Sequence, residues 1–135
     1  MITNGSITYY HKTLDENKLP VWNRCVFEDV WHFGGKGSSI NKGYENANDV
    51  DVRIPIVKGM TVKKINDMTV LELNKMLVKN IQGTNINLKV GDIIAIGIQP
   101  QISRQSDLND IEYYNVTSIN INDFGNNPHI HLGGK

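Results

Sequence analysis

The sequence predicts a mainly β protein, a small antiparallel barrel or sandwich of five to six strands with one helical excursion. Three observations lead there. Short runs rich in β-branched and aromatic residues recur along the chain, separated by clusters of Gly, Pro, Asn and Asp. One run, Val50-Asp-Val-Arg-Ile-Pro-Ile, alternates almost perfectly between apolar and polar. The length, 135 residues, suits one domain with one core, so 1–135 reads as a single unit.

Residues 6–12, Ser-Ile-Thr-Tyr-Tyr-His-Lys, read as a first strand, and Thr13 to Pro20 as a turn. Residues 21–33 form a second strand in which two registers compete. One face carries Cys25, Phe27, Trp31 and Phe33, and the other carries Val26, Val30 and His32. Both are partly apolar, which predicts a strand covered on both sides or interrupted by a bulge. Residues 34–49 then hold a Gly-Gly-Lys-Gly run and almost no core-forming side chains, the composition of a long loop.

In the strand at 50–56, Val50, Val52, Ile54 and Ile56 face one way and Asp51 and Arg53 the other. Pro55 lacks an N–H and marks an edge or exit. The spacing of Leu73, Met76, Leu77 and Ile81, with Asp67 as cap and Gly83 as stop, predicts a helix over 67–81 inside an insertion at 57–85. Val90-Gly91-Asp92 reads as a turn feeding a buried strand, and 99–110 as a polar loop. Residues 111–121 form a further strand, and 122–128 a dense turn. His129 to Leu132 form the last strand, with Ile130 and Leu132 facing in.

The composition narrows the function. Lys plus Arg and Asp plus Glu are equal at 14 each, so no global basic excess marks a nucleic-acid binder. The single cysteine, Cys25, closes no intrachain disulfide and fits a reduced, cytosolic site of synthesis as a buried structural thiol. The first residues have neither a charged nor an apolar signal region, and no apolar run reaches membrane-spanning length, so neither export nor a membrane is expected.

Candidate chemistry is sparse. His129-x-His131 on a strand puts two imidazoles on one face, as a β-rich metal site would. Only His11 and His32 remain elsewhere, and a solvated strand face accounts for the pair equally well. Gly34-Gly-Lys-Gly-Ser-Ser departs from a phosphate loop, because Lys36 precedes Gly37 and no helix is expected to follow. The carboxylates Glu28, Asp29, Asp49 and Asp51 show no spacing that demands acid–base work, and Trp22 and Trp31 read as core. The expectation is a protein without a cofactor that is not an enzyme.

The order of features resembles a known family. A Tyr-rich first strand, a Trp, a Val30-Trp31 strand and a long loop are followed by Val50-Asp-Val-Arg-Ile, Val90-Gly-Asp and Tyr114-Asn-Val-Thr-Ser-Ile. This resembles the small head–tail joining proteins of tailed bacteriophages, the stopper or head-closure family. The segment Asn122-Asp-Phe-Gly-Asn-Asn-Pro-His-Ile-His-Leu-Gly-Gly-Lys is similar to proteins of prophages in low-GC Gram-positive bacteria. Val57 to Asn85 is longer than the family pattern requires.

The resemblance implies a structural subunit of the virion neck, made in the host cytoplasm. It implies a homo-oligomeric ring, twelvefold or sixfold, between the phage connector or adaptor and the tail proteins. The loop between the second and third strands would reach the channel, with Gly34, Gly35, Lys36, Gly37, Lys42, Gly43 and Tyr44 able to contact packaged DNA non-specifically. Phe27, Val30, Trp31 and Phe33 would form the ring interface. The alternatives are another virion part such as a tail terminator, a small metal-binding β-barrel using His129 and His131, and a module that captures a host protein.

Overall fold

The computed structural model describes residues 3–34, 49–83, 86–123 and 125–135. Among these, ten strands account for nearly all regular structure: β1 (Gly5–Leu14), β2 (Pro20–Gly34), β3 (Val50–Pro55), β4 (Met60–Ile65), β5 (Met68–Leu73), β6 (Ile81–Gln82), β7 (Ile86–Leu88), β8 (Ile93–Ile96), β9 (Tyr113–Asn122) and β10 (His129–Gly134). A short 3-10 helix, Gln105–Leu108, precedes β9. All the strand pairs are antiparallel. The expected mainly β, antiparallel architecture is present, with more strands than expected and with β1 and β2 longer than 6–12 and 21–33.

The larger sheet runs β1-β8-β9-β10-β3-β2-β6, and β1 also pairs with β2. The pairings therefore form a circuit. Two long strands make this possible by changing partner part-way. β2 pairs with β1 from Pro20 to Val30 and with β3 from Trp31 to Gly34. β9 pairs with β8 at Tyr113–Asn115 and with β10 from Val116 onward. The change in β2 follows a bulge: Ile7 faces Phe27 but Gly5 faces Val30, so Glu28 and Asp29 include the extra residue. That bulge resolves the two competing registers. Cys25, Val26 and Phe27 are all buried, and Val30 returns to the core three residues on.

The main core contains Ile7, Phe27, Val52, Ile54, Ile130 and Leu132, the inward residues of alternating strands. The expected alternation of β3 holds, with Val50, Val52 and Ile54 buried and Asp51 and Arg53 exposed. Ile130 and Leu132 are fully buried as expected.

The helix expected over 67–81 is absent. Met68–Leu73 is a strand, paired with β4 from Ile65↔Met68 to Met60↔Leu73 and with β7 on its other side. The two-residue turn Asn66-Asp67 joins β4 to β5, and Asn66 takes a positive φ of 57° that asparagine tolerates. Thr69 and Val70 are β-branched and favour the strand, and Thr69 and Leu71 bury at period two. The supposed helical stripe is scattered instead: Ile81 is buried, whereas Met76 and Leu77 are exposed.

A second, smaller core lies on the other side of β1, β2 and β8. Tyr10, Trp22, Ile93 and Ala95 are covered there by Ile102 and Leu108. The segment read as a polar loop at 99–110 is thus a cover. Polar bonds hold it down: Tyr10 Oη donates to the Pro100 carbonyl at 2.6 Å, and Gln101 Nε2 to the Trp22 carbonyl at 2.6 Å. No helix among the described residues is long and apolar enough to cross a membrane.

Candidate functional site

The most concentrated polar chemistry surrounds Asp92. The turn Val90-Gly91 turns the chain into β8, with Gly91 at φ 102°, and leaves Asp92 only 2% exposed. A buried carboxylate is tolerated only when donors surround it. Asp92 Oδ2 receives the Tyr9 hydroxyl at 2.7 Å, the Lys89 backbone N–H at 2.8 Å and His11 Nδ1 at 2.8 Å. Asp92 Oδ1 receives the Lys12 backbone N–H at 3.0 Å. Tyr9 and His11 reach it because period two sets both on the same face of β1.

The contact at Nδ1 fixes the orientation of the His11 ring. His11 also lines a cavity of about 330 Å³ whose other walls include Tyr9, Thr13, Asn23, Cys25 and Ile86. Burial, then the neighbouring Asp92 carboxylate, holds the Tyr9 hydroxyl proton well above the usual phenol range. Burial pushes the Cys25 thiol up to about 12, so it stays protonated at neutral pH. The expected buried cysteine is what the fold contains. Among the described residues no group of three or more His, Cys, Asp and Glu is placed to hold a metal ion.

The second feature is a surface. Trp31 and Phe33 stack with ring centroids 6.0 Å apart and planes at 17°. The Arg53 guanidinium carbon sits 4.8 Å from the Trp31 ring centroid, an attraction of roughly 0.5–1 kcal/mol at an exposed site. Register explains the grouping: Trp31 faces Arg53, Arg53 faces His131, and His131 faces Asn120 across four neighbouring strands. Phe33 is 64% exposed. Gly34, next in the chain, pairs with Val50.

These positions sort the expected site residues. Phe27 and Val30 are buried in the chain's own core, Phe27 edge-on to Tyr9 at 6.4 Å, and present no surface to a neighbour. That part of the expected interface is corrected, because the bulge turns Val30 inward. Trp31 and Phe33 remain on the outside, and Trp31 is a surface platform rather than the core residue expected. Gly34 ends β2 with a positive φ of 97°. Gly35, Lys36, Gly37, Lys42, Gly43 and Tyr44 lie outside the described residues.

His129 and His131 have separate partners. His129 lies 2.8 Å from the Asn127 carbonyl and 3.2 Å from the Asn122 amide, and His131 lies 3.3 Å from Asp51 Oδ1. The Tyr9–His11–Asp92 cluster went unread in the sequence. The available signal was an Asp followed directly by the apolar run Ile93-Ile-Ala-Ile.

A family model matches residues 2–135, and its description is Family of unknown function (DUF6751). The chain belongs to that family. No curated protein matches the DUF6751 chain, and no solved structure does.

Proposed function

We propose that this DUF6751 chain is a structural subunit of a phage neck, one copy in a ring that joins the DNA-filled head to the tail and helps close the DNA channel. The observation that carries the reading is the stack of the exposed Phe33 on the half-buried Trp31, with Arg53 over it. An aromatic side chain left 64% open to water, as Phe33 is, gains roughly 1.5–3 kcal/mol when a partner covers it. Aromatic residues and arginine are also the types enriched in assembly contacts. The face is rigid, because β2, β3, β10 and β9 pair in sequence behind it.

The role of the 34–49 segment in the channel rests on the family resemblance, with Lys36 and Lys42 as its DNA-facing charges. Gly34 and Val50, which flank the segment, are the register pair next to Phe33↔Asp51. A tail terminator would use the same kind of surface, and the position in the particle separates the two.

The test is imaging of particles that carry this protein, together with native mass spectrometry of the purified chain. A closed ring at the head–tail junction, lost in a Phe33→Asp variant whose circular dichroism is unchanged, is the expected result. A monomer at all concentrations that is absent from particles would overturn the proposal.

A further inference from the structure

The neutral total of the chain conceals a segregation of charge. Residues 57–89 carry the small sheet, β4, β5 and β7, with its turns and β6. They hold Lys58, Lys63, Lys64, Lys75, Lys79 and Lys89 against Asp67 and Glu72. The rest of the chain holds eight Lys and Arg against twelve Asp and Glu. All six lysines are exposed. The fold keeps the two signs apart. Met60, Leu71, Ile86 and Leu88 join the small sheet to the main core beside Tyr9 and Phe27. The cover over the smaller core lies on the other face of β1, β2 and β8, and residues 99–112 hold Arg104 against Asp107, Asp110 and Glu112. The molecule is thus polarised across that wall.

The carboxylates on the lysine-rich side are already answered. Glu72 meets Lys63 Nζ at 2.8 Å, and Asp67 meets Lys89 Nζ at 3.6 Å. Glu28 stands at the rim, where its N–H reaches the Asn80 carbonyl, and its carboxylate accepts Gln82 Nε2 at 3.2 Å. Lys75 Nζ donates to the Gly83 carbonyl. Lys58, Lys64 and Lys79 have no carboxylate partner among the described residues. Lys58 and Lys79 lie on two turns that touch, since a Cβ on Gly59 would stand 2.8 Å from that of Leu77. Lys64 lies six residues along from Lys58, about 20 Å at full extension. Duplex DNA presents one negative charge per about 1.7 Å of its axis, so a track of that length offers phosphates to all three.

The residue types narrow the partner. Residues 57–89 hold no Arg and no Phe, Trp or Tyr. Without arginine forks there is no bidentate grip on guanine edges, and without aromatics there is no platform for unstacked bases. Lysine ammonium groups are point charges that follow a phosphate backbone whatever its sequence. Met76 and Leu77 are exposed beside Lys75 and Lys79, which makes an anionic lipid surface the rival, and the want of an aromatic anchor counts against it. We propose that this lysine face holds the phosphodiester backbone of duplex DNA without reading its sequence. The choice of DNA as the polyanion rests on the neck reading. The face is a second contact, separate from the one that the family resemblance places at Lys36 and Lys42.

The test measures the fluorescence anisotropy of a short labelled DNA duplex with the full chain over a range of salt. Binding at about 50 mM salt is expected, indifferent to duplex sequence, with log affinity falling linearly in log salt. Lys58→Gln, Lys64→Gln and Lys79→Gln together should lower that slope by roughly 2–3 per chain and weaken binding about tenfold or more at that salt, with unchanged circular dichroism. The same loss is expected on a Lys36→Gln, Lys42→Gln background. No binding at low salt, or a slope that the three changes leave untouched, would overturn the inference. So would phosphatidylglycerol vesicles that capture the chain through these lysines more strongly than the duplex does. None of these outcomes decides the neck reading, which stands or falls on the ring at the head–tail junction.

Discussion

The imidazole of His11 and the carboxylate of Asp92 meet at 2.8 Å inside the protein, joining β1 to the turn that opens β8. The same carboxylate holds the Tyr9 hydroxyl and two backbone N–H groups. Removing it takes the acceptor from His11 Nδ1 and the Lys12 N–H, and leaves the Tyr9 hydroxyl and the Lys89 N–H only each other and the Lys89 carbonyl. Asp92→Ala is therefore expected to cost about 3–5 kcal/mol in urea denaturation. The cost should shrink on a Tyr9→Phe background, because the two residues share the network.

Cys25 sets an alkaline limit. Its thiol is held up to about 12 in the folded chain, against an ordinary value near 8.5–9 for an unfolded chain. The folded state keeps a proton that the unfolded state releases. Stability is unaffected below about pH 9 and falls as pH rises toward 12, by up to about 4 kcal/mol from this group. Thermal unfolding between pH 8 and pH 11 should show a steeper loss in the original chain than in Cys25→Ala. Iodoacetamide should label Cys25 slowly until urea is added.

Asp107 sets an acid limit on the cover over the smaller core. Its carboxylate accepts the Ser103 and Arg104 N–H groups at 3.0 and 3.1 Å, and these bonds lower its pKa. A depressed carboxylate contributes stability above the ordinary carboxylate range, and that contribution is lost as pH falls through the folded value. Acidification below about pH 4 should lower the hydrogen-exchange protection of residues 102–108, measured against the intrinsic rate at each pH, and shift Trp22 fluorescence to the red. Asp107→Asn should show the lower protection already at neutral pH.

Gly134 lies where strands crowd. A Cβ there would stand 2.9 Å from Val50 Cγ1 and 3.0 Å from Tyr114 Cβ. Neither neighbour can retreat, since both are buried in the main core. Gly134→Ala should cost about 1–3 kcal/mol, seen as a lower denaturation midpoint with an unchanged slope.

The main sheet was legible where one face is apolar and the other polar, as at Val50–Ile54 and Ile130–Leu132, because period two and burial there agree. It was illegible at 67–81, where Leu73, Met76, Leu77 and Ile81 fall at helical spacing by coincidence. The two-residue Asn66-Asp67 turn and the β-branched Thr69 and Val70 were the better guides, and pairing with β4 and β7 decided the outcome. Trp31 and Phe33 were found at the candidate surface, yet Phe27 and Val30 could not be told from them without the bulge at Glu28–Asp29. The Asp92 cluster depends on contacts some eighty residues apart in sequence, which no local pattern reports.

β10 lies between β3 and β9, and it follows both in the chain. During synthesis the facing rims of those two strands carry unanswered amides and carbonyls until residues 129–134 emerge from the ribosome. A message broken shortly before codon 129 would thus yield a product with two open, sticky borders, prone to clumping or to degradation.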